Sequence, residues 1–168
     1  MDENAIVKSL RDRSEIIDVA IRYAHGIDSR QWEEFGSCFT DQVAINVMAT
    51  GGGWVTLSRE EIMAICSRIF AHYDATQHIS ANHQVTISGD EATCISSLNA
   101  THYTAGYPGG SIQRQIGYYE YHLVRANGWQ IDRYVQTVKW EEGNQEMFTR
   151  AHENVGLPSP SLETAEAK

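Results

Sequence analysis

The sequence predicts an α+β fold, a cone-shaped α+β barrel in which about three N-terminal helices pack on a curved, mostly antiparallel sheet. Three observations predict it. Apolar residues recur at helical spacing in the first forty positions and again over 62–73; strand-like runs fill 77–140; and short turns rich in Gly, Asn, Asp and Pro separate those runs. Helices followed by strands place a helix layer on one side of a sheet. A curved sheet closed by helices encloses a space deep enough for one small apolar ligand.

Each element has its own signal. Ile6, Leu10, Ile17, Ile21 and Ala24 mark one face of a first helix, widened by Ile16, Val19 and Ala20. It is expected to end near His25-Gly26, with glycine as C-cap. Asp28 or Ser29 then caps a short helix whose Trp32, Phe35 and Phe39 fall at i, i+3 and i+7. Val43, Ile45 and Val47 alternate with Ala44, Asn46 and Met48 as a strand, and Gly51-Gly52-Gly53-Trp54 is a loop carrying one large aromatic. Ser58-Arg59-Glu60-Glu61 is a capping box, opening a third helix with Ile62, Ile65, Cys66, Ile69 and Tyr73 inward. Strands follow over about 77–88, 91–104, 113–126 and 128–140, and Asn127-Gly128 is a hairpin turn. A short helix is expected around 145–152, then a disordered tail from Leu157. The domain therefore spans 1–143, followed by a C-terminal segment, 144–168.

Composition narrows the function. A chain of 168 residues that is 42% hydrophobic and 21% charged is most economically one globular domain. Thirteen basic against twenty-two acidic residues give a net charge of −9, with no basic run, which argues against nucleic acid as a partner. No apolar stretch approaches the roughly 20 residues that span a bilayer, so no membrane partner is expected. The acidic start lacks a signal-peptide core. Cys38, Cys66 and Cys94 are odd in number and sit in apolar patterns, which suits reduced thiols in the cytoplasm. No cysteine spacing suggests zinc. His78 and His83 are expected on opposite faces of a regular strand, so no metal site is expected.

Two polar islands carry the chemistry. Tyr23 and Asp28 flank the first inter-helix joint, and Thr76-Gln77-His78 with Asn82-His83 opens the first long strand. An imidazole paired with a carboxylate, with a phenol nearby, is a proton-transfer device. Plainer readings stand beside this one: Asp28 as an N-cap, Tyr23 as core, His78 as a structural histidine. Tyr118, Tyr119, Tyr121 and Tyr134 lie on paired strands and read as lining or flooring the cone.

Arg22-Tyr23 through Trp32, Cys38 through Val43, Gln77-His78 with Asn82, and Gly128-Trp129-Gln130-Ile131 together resemble the SnoaL-like branch of the nuclear-transport-factor-2-like superfamily, over roughly 8–142. The resemblance implies roles. Dehydratases of scytalone and of bile-acid intermediates, and hexachlorocyclohexane dehydrochlorinase, share an Asp–His pair that aligns with Asp28 and His78. Tyr23 matches the bile-acid enzyme's tyrosine, and His102 falls near a second histidine of the scytalone enzyme. Where the dehydrochlorinase has a basic residue this chain has Tyr134, with Arg133 one position off. The ketosteroid isomerases fit less well, their catalytic aspartate falling near Asn46 or Val47.

The resulting expectation is a cofactor-independent lyase, dehydrating a small hydrophobic hydroxylated cyclic or aromatic substrate. His78 is the base, Asp28 its orienter, Tyr23 a donor to the substrate oxygen, and His102 the acid for the leaving group. Substrate-contacting candidates are Asn46, Trp54, Asn82, Asn99, Tyr119, Tyr121 and Tyr134. Elimination of formaldehyde or halide, isomerisation, polyketide-type cyclisation, and a non-catalytic or dioxygenase small-subunit-like module are the alternatives. The resemblance also implies a homo-oligomer, trimer before dimer, through the outer sheet face. The segment around Met147-Phe148 is expected to cover the pocket mouth, so that truncation after Gly143 alters affinity more than stability.

Overall fold

The computed structural model describes residues 2–47 and 53–156. The tail from Leu157, and Gly51-Gly52 of the glycine loop, lie outside the described residues.

Helix α1 (Glu3–Asp28) buries Ile16, Val19, Ala20, Tyr23 and Ile27. Their spacing makes a single stripe one helix face wide. Ile6, Leu10 and Ile21, expected on that face, are exposed: the first two lie in the opening turns of α1, clear of the core, and Ile21 falls off the buried stripe of Ile16, Val19, Ala20, Tyr23 and Ile27. Gly26 does not end the helix. A Cβ there would stand 2.9 Å from the Phe35 backbone, so glycine lets α2 (Trp32–Gly36) fold tightly back onto α1. The stop comes at Ser29, whose hydroxyl donates to the His25 carbonyl at 2.6 Å, and at Arg30, which reverses the chain with φ +59°. Gln31, rather than Asp28 or Ser29, is the α2 N-cap. Phe39 starts a strand instead of extending α2, yet it still reaches the core.

Strand β1 (Phe39–Val47) is followed by β2 (Val55–Ser58), a strand that no alternation announced because it is only four residues long. At the start of α3 (Arg59–Phe70), the Glu61 N–H donates to Ser58 Oγ at 3.2 Å, and the Ser58 N–H donates to the Glu61 carboxylate at 2.7 Å. The expected capping box is therefore present. Strands β3 (Ala75–Ser88), β4 (Glu91–Tyr103), β5 (Ile112–Ala126) and β6 (Gly128–Gly143) form a meander, and α4 (Gln145–Glu153) follows. Gly128, at φ +86°, makes the β5–β6 turn.

The six strands form one sheet in the order β2-β1-β6-β5-β4-β3. Only the β1–β6 pair is parallel, so the sheet is mixed. It does not close on itself: β2 and β3 are its edges, and α1 and α3 complete the cone. Phe35, Cys38, Phe39, Leu98, Leu123 and Ile131 meet the α1 stripe in the main core. Among the described residues, no helix is long and apolar enough to cross a membrane.

A bulge in β3 corrects one expectation. The pairing with β4 shifts between Ala81 and Gln84, with Asn82 at φ +55°. The extra residue reverses the side-chain alternation beyond it. His83 therefore shares the inner face with His78 and meets Ser80 Oγ at 3.1 Å.

Candidate functional site

The C-terminal residue of α1, Asp28, meets the first residues of β3. Its carboxylate accepts three hydrogen bonds, all from β3: the His78 backbone N–H at 2.6 Å, His78 Nδ1 at 2.7 Å and the Thr76 hydroxyl at 2.9 Å. Burial pushes the Asp28 carboxyl up. The hydrogen bonds from His78, its charge and the Thr76 hydroxyl outweigh that push and hold the group below its ordinary range. An ionised Asp28 can only accept, so His78 Nδ1 carries a proton and Nε2 is the nitrogen left for chemistry.

His78 lines a cavity of about 390 Å³ between the helices and the concave sheet face. That volume is typical of a small-molecule site. The walls are largely apolar: Ile27, Ile45, Ile62, Ile65, Ile69 and Phe70 are among them. Cys66 also lines it, with burial pushing the thiol up to about 12, so it stays protonated.

Polar groups gather at two ends. At one, Tyr23 clusters with Tyr119 and Tyr134, their ring centres 5.4 Å and 5.9 Å from its own, and all three rings line the cavity. Burial pushes each phenol above its ordinary value, so all three remain neutral and can donate. At the other end stand His78 and His102, their rings 5.6 Å apart in an edge-to-face arrangement. His78 pairs with Ala100 and Tyr119 with Ser96, so about 13 Å of β4 separates their backbones, a gap the long tyrosine side chain narrows enough for Tyr119 to feel the charge of Asp28.

His102 departs from the expected role. Its ring stacks on Tyr73 at 4.7 Å, and its Nδ1 meets Gln113 Oε1 at 2.6 Å. The Gln113 amide is oriented by its own nitrogen, which donates to Glu141 and Gln145 at 3.2 Å each. His102 Nδ1 is consequently the donor. Burial pulls its pKa down to about 3, and the adjacent His78 acts in the same direction. A neutral ring whose one proton is committed to Gln113 is no acid for a leaving group; it offers Nε2 as an acceptor.

The remaining candidates divide cleanly. Tyr121 is fully buried and packs behind Tyr23 and Tyr119 without lining the cavity. Asn46 occupies the strand position after inward-facing Ile45 and is not in the wall. Asn82 sits on the bulge and donates to Ser97, and Asn99 is exposed on the outer face, so strand parity keeps both from the ligand space. Trp54 is 54% exposed and outside the lining, although its neighbours Gly53 and Val55 contribute.

Three polar cavity residues were not anticipated. Gln115 and Gln136 join across β5 and β6 at 3.2 Å, and Gln115 also donates to Glu141 at 2.8 Å. The period of two running back from Tyr121 through Tyr119 to Gln115 and Gln113 marks that inner face in the sequence. The third, His152, comes from α4, as does Phe148, which the sequence placed at the pocket mouth. Outside the wall, Arg30 donates to the Tyr73 carbonyl at 3.0 Å, tying the α1–α2 joint to the segment that leads into β3.

The match to known proteins agrees with this architecture. The family model described as a SnoaL-like domain matches residues 8–135. Uncharacterized protein Rv2910c of Mycobacterium tuberculosis is 26% identical over 136 residues, covering 78% of this chain and 88% of that protein. Among solved structures, the Kfla4162 protein of Kribbella flavida is 26% identical, with a TM-score of 0.78 over 83% of this chain and 98% of that one. A candidate scytalone dehydratase of Novosphingobium aromaticivorans is 20% identical, with a TM-score of 0.69 over 81% and 89%. The hexachlorocyclohexane dehydrochlorinase LinA-type3 of Novosphingobium barchaimii is 17% identical, with a TM-score of 0.70 over 82% and 93%. At such identities the last two establish a shared fold. With most of its length matched by the family model, and the helix-closed sheet in place, this chain belongs to the SnoaL-like domain family.

Proposed function

We propose that the protein is a cofactor-independent lyase that eliminates water from a small hydrophobic, hydroxylated cyclic or aromatic molecule. The observation that carries this reading is the 2.7 Å contact of His78 Nδ1 with Asp28 at the wall of a largely apolar cavity. His78 Nε2 removes a proton from the carbon next to a carbonyl. Asp28 holds the ring and balances the imidazolium that forms. The electron pair moves onto the carbonyl oxygen, where Tyr23, backed by Tyr119 and Tyr134, donates to the enolate. As the enolate re-forms the carbonyl, the bond to the β-hydroxyl breaks, and the imidazolium returns its proton to give water. His78 thereby serves as both base and acid, the part His102 cannot share.

Two observations favour water over halide. Arg133 is exposed while Tyr134 faces the cavity, and among the described residues no lysine or arginine lines it. The phenol cluster would equally hold the enolate of an isomerase or cyclase. Solvent deuterium entering the substrate without loss of a group would favour those reactions. Tyr103 and Ile112, paired across β4–β5, and Ile79 are exposed on the outer face, which supports self-association through the sheet, with a trimer as the preferred state.

The test is turnover of hydroxylated cyclic ketones by His78→Ala and Asp28→Asn. Both should lose roughly 10³–10⁴-fold in rate while keeping the wild-type circular dichroism spectrum. Activity retained in both variants would refute the dyad.

A further inference from the structure

The histidine end of the cavity holds more than the proposed base. His152, on α4 and beyond the residues matched by the family model, also lines the wall and is only 6% exposed. Its Nδ1 lies 2.9 Å from the Phe148 carbonyl, which can only accept, so Nδ1–H donates there. His102 is arranged alike, with Nδ1–H given to Gln113. The Phe148 ring stands beside both imidazoles, 5.7 Å from His102 and 4.2 Å from His152. Each ring therefore has one nitrogen committed to the protein and one lone pair on Nε2, with no hydrogen-bond partner for Nε2 among the described residues. Burial holds both rings towards the neutral form, which preserves those lone pairs. Neither Nε2 is among the fully enclosed unpartnered atoms, so both open onto the cavity, where a ligand that displaces water must supply a donor or leave two acceptors unpaired.

We infer that Nε2 of His102 and Nε2 of His152 form a paired acceptor subsite for an O–H or N–H group of the ligand, separate from the group on which His78 acts. Helix α4 then sets specificity by chemistry as well as by shape, admitting ligands with a donor at this end over isosteres that lack one. This rests on the cavity being the ligand site, and not on which bond breaks there.

The probes are 2-naphthol and 2-methoxynaphthalene, bicycles of one frame of which only the first donates, with binding measured by calorimetry. The wild-type chain should prefer 2-naphthol by about tenfold, the effect of one hydrogen bond. In His152→Phe that preference should fall to about twofold or less, with 2-methoxynaphthalene binding little changed. His152→Gln, which keeps an acceptor, should retain most of it. The Asp28→Asn chain should show the wild-type ratio, so failure of the elimination chemistry would leave this result standing. No preference in the wild type, a preference that survives in both His152→Phe and His102→Phe, or a Gln variant no better than the Phe variant would each overturn the subsite. So would loss of the preference in His78→Ala alone.

Discussion

Asp28 shows how one side chain's work is assigned by what lies across the fold. In the sequence it reads as a helix cap; in the structure every hydrogen bond its carboxylate accepts comes from β3, and Gln31 holds the α2 N-cap position. Its ionised form is favoured in the fold, which gives a pH dependence with a definite sign. A carboxyl whose folded pKa is depressed adds stability above its unfolded value of about 4, and that stability is lost as pH falls through the folded value. Denaturant midpoints followed through and below pH 4 should therefore fall less steeply for Asp28→Asn than for the wild type. A second residue-scale prediction concerns Gln113, which is fully buried and bonded to His102, Glu141 and Gln145. Gln113→Leu should cost about 1–3 kcal/mol by leaving those buried groups unpaired, as read from chemical denaturation.

At the scale of elements, α4 is both wall and core. Met147 and Ala151 are buried against Ile69 and Tyr73, while Phe148 packs with Val138. Truncation after Gly143 should therefore lower stability by about 2–5 kcal/mol, the usual cost of removing large buried side chains, and not chiefly affinity as the sequence suggested. Thermal melts of the truncated chain check this. The α1–α2 corner makes a comparable prediction: Gly26→Ala forces a Cβ to within 2.9 Å of Phe35 and should cost about 1–3 kcal/mol in the same melts. Neither the packing of α4 nor the need for glycine inside α1 was legible locally. Gly26 looked like a terminator because sequence shows the residue and hides the helix lying against it. The β3 bulge was hidden for the same reason: a one-residue insertion reverses every later side chain without altering composition.

For the whole molecule, the outer sheet face gives the expectation that matters most in solution. Ile79, Tyr103 and Ile112 stand exposed there. Light scattering should give a trimer, and Ile112→Glu with Tyr103→Glu should shift it towards monomer; a monomeric wild type would refute the assembly. The α+β class, the order of helices before strands and the long β-meander were legible because amphipathic period and turn chemistry are local properties of a chain. The parallel seating of β1 against β6, the open sheet and the short β2 were not, since pairing joins residues some ninety positions apart.

By itself the sequence determined the four long strands, the capped third helix and, through the SnoaL-like resemblance, which carboxylate and imidazole to watch. Only the tertiary structure decided that Asp28 and His78 touch, that burial keeps His102 neutral while Gln113 holds its Nδ1–H, and that α4 brings His152 into the cavity wall. The physical reason is that periodicity fixes which face a side chain takes, whereas hydrogen-bond partners and burial, which set a group's protonation and its chemistry, come from residues distant along the chain.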